Sequence, residues 1–240
     1  MLREGDVVAV GLSGGKDSFV TLAALQKLAE FYPERFTVKA ISICLTRDTS
    51  AFDPVEEFCR KLGVEYIRVP TDIREIVFEK RKEPNPCSLC ANMRRGALNR
   101  AAVAAGCGKV ALGHHADDAA ETFLMSLFYE GRISCFEPVT YLSRSGITVI
   151  RPMLYASESE MRGEARRIGA PVIASSCPAD GNTRRQETKK LLGELGSRYG
   201  FMREKICGAI ARLPLPGWEK RPRADRLRDE KPEGSEGRFV

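Results

Sequence analysis

"VVAVGLSGGKDS", residues 7–18, decides how this chain is read. It opens as an apolar, β-branched run (VVAVGL, 7–12), the pattern of a strand buried on both faces. It then breaks into Ser13-Gly14-Gly15-Lys16-Asp17-Ser18 and passes into a helical pattern over 17–31. The glycines permit a tight turn and let backbone amides approach an anion, and a helix N-terminus adds its positive dipole end. Lys16 can offset phosphate charge, and Ser13 and Ser18 can donate to phosphate oxygens. A Walker-type loop would need glycine at position 10 and Ser or Thr at position 17, which here hold Val10 and Asp17. The loop therefore suits phosphate but belongs to another class. The plainer alternative is a strand–helix turn with Asp17 or Ser18 as a helix cap. The unbroken run between strand and helix argues against it.

Similar apolar runs recur at 38–45, 64–69, 109–114, 148–153 and 171–176, with helical patterns at 53–62, 91–105, 117–130, 157–168 and 184–199 between or after them. Such alternation predicts an α/β fold, a doubly wound and mainly parallel sheet. Ligands of such sheets bind beyond the carboxyl ends of the strands. The places to look are 11–18, 42–47 (with Ser42), 113–118 and 151–156.

The 240 residues, 43% hydrophobic, suffice for one sizeable core. Residues 1–213 read as one domain with a C-x-x-C segment inserted at about 80–95. Residues 214–240 are charged and rich in Pro and Gly, and read as a flexible tail. The net charge of +6 permits a polyanionic partner without requiring one. No apolar run reaches the roughly 18 residues of a membrane span, and the N-terminus reads as a first strand, not a signal peptide. The expectation is a cytoplasmic protein with no membrane partner. In that setting the eight cysteines are not expected to form disulfides, and Cys44, Cys59, Cys107, Cys135 and Cys207 read as small buried hydrophobes.

A second motif, "GHHADDAAETFLM" (113–125), also follows a strand and opens a helix. Gly113 permits close backbone approach, with His114 beside it. Asp117 and Asp118 sit where carboxylates are favoured at a helix start, and carboxylate oxygen suits Mg²⁺ beside a pyrophosphate. A capped helix with packed histidines is the plainer reading.

Cys87 and Cys90 form a C-x-x-C, and Cys177 lies in "ASSCPADGNTRRQ" (174–186) at the ligand-binding side of the sheet. Three thiolates suit a [4Fe–4S] cluster with one open iron or an open zinc site, and spacing does not choose between them. Arg94 and Arg95 follow the first pair, Arg184 and Arg185 follow Cys177, and Arg151 sits at a strand end. These arginines are candidates for RNA contact, the alternative being a solvated helix face.

SGGKDS is the signature of the PP-loop ATP pyrophosphatases, which this chain resembles. With C-x-x-C, GHHxDD and the later cysteine in order, it resembles the tRNA 2-thiocytidine synthetase branch over roughly residues 5–200. The resemblance implies an adenine nucleotide alpha hydrolase-like, Rossmann-like fold. It implies ATP on Ser13, Gly14, Gly15, Lys16, Asp17 and Ser18, with Ser42, Gly113, His114 and Asp118 around it. Lys16, Asp17 and Asp117 would act in the chemical step, with Mg²⁺. It implies a [4Fe–4S] cluster on Cys87, Cys90 and Cys177, and a tRNA anticodon-loop cytidine as substrate. A sulfur donor such as a cysteine desulfurase would be needed at each turnover, and a homodimer is compatible. Typical members carry a second C-x-x-C at the third ligand; here Asp180 stands three residues after Cys177. Other readings are 2-thiolation of a tRNA uridine, a non-catalytic ATP-binding iron or redox sensor, and a zinc-bound RNA-binding module.

Overall fold

β1 (Val7–Gly11) is the strand around which the rest is arranged. Its Val8, Ala9 and Val10 have no exposed surface, as an apolar run of this kind requires. The computed structural model of the chain describes residues 1–81, 86–174, 177 and 183–212. β1 pairs with β2 (Thr37–Cys44) on one side and with β4 (Lys109–Ala111) on the other, both parallel. β3 (Glu65–Pro70) extends the sheet past β2, and β6 (Ile147–Ile150) extends it past β4. β5 (Val139–Leu142) closes that edge, antiparallel to β6. The order is β3-β2-β1-β4-β6-β5. The chain walks outward from β1 to β3, then returns to the far side of β1. The switch point therefore lies between β1 and β4, where ligands of open α/β sheets bind. The two phosphate-type motifs leave these two strands.

Helices cover both faces. α1 (Lys16–Ala29) and α2 (Asp53–Lys61) bury Phe19, Leu22, Val55 and Phe58 on one face. The Phe19 and Phe58 rings meet edge to face at 5.3 Å. α3 (Pro86–Ala104) covers the other face, with Ala97, Leu98 and Ala102 against Ile41, Ile43 and Val110. α5 (Glu158–Arg167) packs Met161 and Ala165 on Val20 of α1. α4 (Ala116–Glu130), α6 (Arg184–Tyr199) and α7 (Met202–Arg212) share a smaller apolar cluster of Ala120, Leu124, Leu192, Ile206 and Ile210.

The doubly wound sheet is as the sequence predicts, but several elements differ. No strand forms over the described residues 171–174; the Ile173 N–H donates to the Gly14 carbonyl at 2.9 Å instead of joining the sheet. The strand expected at 148–153 ends at Ile150. α3 begins at Pro86, so Cys87 and Cys90 lie within a helix rather than a tight turn before one. β5, a π-helix at Glu75–Arg81 and α7 were not expected. Residues 214–240, read as a tail, and Asp180 lie outside the described residues. Cys44, Cys59 and Cys107 are buried. Cys135 and Cys207 are only half-buried, and that burial pushes their thiols up, to about 12 and about 11. Among the described residues no helix is long and apolar enough to cross a membrane.

Candidate active site

The loop after β1 is held open from within. The Ser18 hydroxyl donates to the Gly15 carbonyl at 2.7 Å and accepts from the Ser13 N–H at 3.3 Å. The Ser13 hydroxyl accepts from the Gly15 N–H at 3.3 Å. Gly14 has φ +84°, the left-handed region that glycine enters without strain. Gly15 caps α1 without a side chain, so the helix meets the loop with its positive end uncovered. From β4, Gly113 comes so close that a Cβ there would lie 2.8 Å from the Asp17 carbonyl carbon and oxygen. That approach docks the second motif onto the first.

Charged side chains gather where they meet. Lys16 Nζ lies 3.0 Å from Asp17 Oδ2 and 3.5 Å from Glu158 Oε1. Asp17 Oδ1 is buried with no hydrogen-bond partner, and His115 Nε2 lies 3.8 Å from it. Asp117 accepts from the Glu158 N–H at 2.7 Å and pairs with Arg203 of α7 at 3.4 Å. Asp118 closes a capping box with His115 and pairs with Arg185 at 3.4 Å. His115, 4% exposed, is thus a helix cap. Burial would raise the Glu158 carboxyl, but Lys189, Lys16 and Arg162 outweigh it and hold the group at about 2. Glu158, Lys189 and Arg203 were not singled out in the sequence. Only Ser157-Glu158-Ser159-Glu160, an N-terminal capping box, marked the place.

A cavity of about 450 Å³ opens beside the loop. Gly11, Leu12 and Ser13 line it with the apolar Ile41, Ile43, Ala91, Leu98 and Leu112, and Arg94, Arg95, His114, Phe136, Arg151 and Arg185 complete the wall. Four of the five candidate arginines therefore share one space with the loop. Arg184 does not line it; its guanidinium sits 4.9 Å from the Tyr129 ring centroid. Arg185 also ties α6 to α4 through Asp118, Glu121 and Thr122. Ser42 is not brought to the cavity, because alternation along β2 turns Ile41 and Ile43 toward it and Ser42 away. The Ser42 hydroxyl is instead buried near that of Tyr66, close enough to influence it but without hydrogen-bond geometry.

Cys87 and Cys90 lie one turn apart at the start of α3, with Arg94 on the same face and Arg94 and Arg95 entering the cavity. Cys87 is exposed and Cys90 half-buried. Burial raises the Cys90 thiol; Arg94 opposes this, and Cys177 and Cys87 add to it. Cys90 therefore has both of the other sulfurs as electrostatic neighbours. Among the described residues no three ligating side chains already stand at metal-holding distances. The donor set is nonetheless right in kind, since soft thiolates select zinc or iron–sulfur clusters over hard cations.

The PP-loop domain family matches residues 3–186, which include both loops and all three of these cysteines. The tRNA-cytidine(32) 2-sulfurtransferase of Pelobacter propionicus is 37% identical over 216 residues, 89% of this chain and 80% of that protein. Its namesake from Geobacter sulfurreducens is 34% identical, over 89% of this chain and 84% of that one. The chain belongs to the tRNA-cytidine(32) 2-sulfurtransferase family of PP-loop proteins. Its fold is also that of the U34-tRNA thiolase NcsA from Methanococcus maripaludis with its [4Fe-4S] cluster, with a TM-score of 0.72 and 26% identity over 88% of this chain and 72% of that one. For a 2-sulfurtransferase of this family, the PP-loop, the cysteine-bearing α3 and the arginine-lined cavity are the parts to explain.

Proposed function

We propose that this chain is an ATP-dependent tRNA sulfurtransferase that replaces the C2 oxygen of an anticodon-loop cytidine by sulfur. One observation carries the reading: a single cavity joins the phosphate loop to the helix that bears the C-x-x-C and to four arginines. Cytidine is preferred over uridine as target because identity to the cytidine enzymes reaches 37%, against 26% for the uridine thiolase.

The C2 oxygen of cytosine is a poor leaving group, and adenylation makes it a good one. The oxygen attacks the α-phosphorus of ATP, the bond to the β-phosphate oxygen breaks, and pyrophosphate leaves. Sulfur then bonds to C2 and AMP departs with the former O2. The loop amides and the N-terminus of α1 receive the β- and γ-phosphates. Lys16 turns from Asp17 and Glu158 to the phosphates and neutralises their growing charge. The unpartnered Asp17 Oδ1 is the carboxylate oxygen best placed to help hold Mg²⁺. Asp117, already held by Arg203 and the Glu158 N–H, positions the second motif rather than meeting substrate. Cys87, Cys90 and Cys177 would hold a [4Fe–4S] cluster, which when bound supplies sulfur next to the base. Arg94, Arg95, Arg151 and Arg185 admit the unstacked nucleotide and its phosphates. An external sulfur donor such as a cysteine desulfurase, with a thiol reductant supplying the two electrons that bring persulfide sulfur to the sulfide level, restores the sulfur after each turnover. The chain works in the cytoplasm, where tRNA and ATP are at hand.

The test is to purify the protein without oxygen and measure iron, acid-labile sulfide and zinc per chain, with Cys177→Ala alongside. About four iron and four sulfide, lost in the variant, together with 2-thiocytidine in tRNA incubated with ATP and a sulfur source, support the reading. One zinc and no sulfide removes the cluster. Absence of thiolated nucleoside removes the activity.

A further inference from the structure

The side chains around the cavity are unbalanced in what they offer. Arg94, Arg95, Arg151 and Arg185 are donors with no acceptor. Among the described lining residues only Ser13 and His114 bring a side-chain acceptor, and the Ser13 hydroxyl already serves the Gly15 N–H within the loop. Cytosine presents a donor, its exocyclic amine, beside two acceptors, N3 and O2. Arginines can satisfy the acceptors but not the amine. Leaving a buried amine without a partner carries the full desolvation penalty of that group.

His114 is one of the side chains lining this cavity. Its ring lies against Phe136 with centroids 4.9 Å apart and a 31° tilt. The Arg151 guanidinium carbon lies 5.0 Å from the same ring's centroid. Arg151 is itself anchored to the Glu137 carbonyl and, at 3.3 Å, to the Thr140 hydroxyl. His114 Nδ1 and Arg151 Nε are both buried and both lack a hydrogen-bond partner. One side chain able to accept and one able only to donate thus share an aromatic support at the cavity wall. Burial first, then the charge of Arg151, pushes the imidazole down to about 4, so it is neutral and keeps a lone pair at neutral pH.

We propose that His114 is a specificity-determining residue: its unprotonated nitrogen accepts a hydrogen bond from the exocyclic amine of the target cytosine, while Arg151 donates to the acceptor edge of the same base. A uracil in that position would turn its O4 oxygen toward the histidine lone pair, and keeping the bond would require the imidazole to switch tautomer. The inference rests on the reading that this cavity takes a tRNA base.

The test uses the full-length protein, loaded with its metal, and two tRNA transcripts that differ only in having C or U at the thiolated position. For the unaltered chain, His114→Leu and His114→Gln, kcat/KM for thiolated nucleoside is measured on each transcript, with ATP affinity and the melting temperature alongside. We expect His114→Leu to lose about tenfold to a hundredfold on the C transcript, the range for one base-edge contact, with little change on U. The preference for C then collapses. His114→Gln, whose amide oxygen accepts, should recover most of the preference. Equal losses on both transcripts, or an unchanged preference, overturn the inference. If the leucine variant melts well below the parent, His114→Phe, which keeps a ring but offers no acceptor, takes its place: a collapsed preference for C with a parent-like melt supports the assignment, and a retained preference overturns it. If the unaltered chain thiolates neither transcript, the sulfurtransferase reading itself falls, and this inference with it.

Discussion

Gly113 is the point where two phosphate-type motifs become one site. A Cβ there would overlap the Asp17 backbone at 2.8 Å and crowd the Thr21 hydroxyl at 3.0 Å. Backbone in the first turn of α1 cannot step aside as a flexible side chain would. Gly113→Ala should therefore destabilise the protein by about 1–3 kcal/mol, lowering the melting temperature by roughly 2–10 °C, and should weaken ATP binding further than it weakens the fold. Thermal melts with and without ATP check both. Glu158 makes a second, pH-dependent case. Its carboxyl is held at about 2, below the ordinary 4.5, after cations outweigh burial. The unfolded chain thus binds a proton more readily than the folded one between those values. The stability that this group contributes is complete above about pH 4.5 and fades as pH falls toward 2. Glu158→Gln should be less stable than the parent at pH 7, and the gap should narrow by about 1 kcal/mol by pH 4. Urea titrations at the two pH values measure it. A gap that stays constant would mean that shape at position 158, not charge, is what matters.

At the scale of elements, what was legible depended on whether a local pattern or a distant contact shaped the segment. β1, β2, β3 and β4 announced themselves as apolar runs because they are interior strands or lie against them. VVAVGL and its loop lead to the switch point of the sheet between β1 and β4. Residues 171–174 carry the same apolar signature but bond to Gly14 rather than to a strand, an outcome that no local pattern encodes. β5 was overlooked because an edge strand with alternating exposure, VTYL, is only weakly apolar. The turn before Gly146, at φ +68°, was the available clue. The start of α3 was placed late because Pro86 suits a first helical position as readily as a loop. α7 could have been found from Ile206 and Ile210 at i, i+4, but its role could not. Arg203 reaches Asp117 from 86 residues away in sequence. That contact ties a helix outside the matched 3–186 segment to the site. Arg203→Ala should cost about 1 kcal/mol, some 2–4 °C in melting temperature, and should loosen ATP binding while tRNA affinity stays put. An unchanged melt would mean that the half-screened pair contributes nothing and that α7 is held by Ile206 and Ile210 alone.

Across the whole molecule the net charge of +6 says less than its placement. Many surface arginines are matched locally: Arg47 with Asp72, Arg60 with Glu57, Arg167 with Glu164. Those at the cavity lie on separate elements, Arg94 and Arg95 on α3, Arg151 after β6 and Arg185 on α6, and converge only in the folded chain. A neutralised pair releases few counterions when a polyanion arrives, whereas a guanidinium facing a phosphate releases one. Arg94→Ala should therefore weaken tRNA binding and reduce the slope of log affinity against log salt by about 0.7–0.9, without moving ATP affinity. Arg60→Ala is the matched control, since it removes the same charge from an exposed pair with Glu57 and should leave the slope as it is. Binding isotherms at several salt concentrations distinguish the two. If both variants change the slope alike, tRNA senses only total charge and the cavity is not its point of entry. If Arg94 alone changes it, the nucleic acid is drawn to the space where the PP-loop, the C-x-x-C helix and His114 meet.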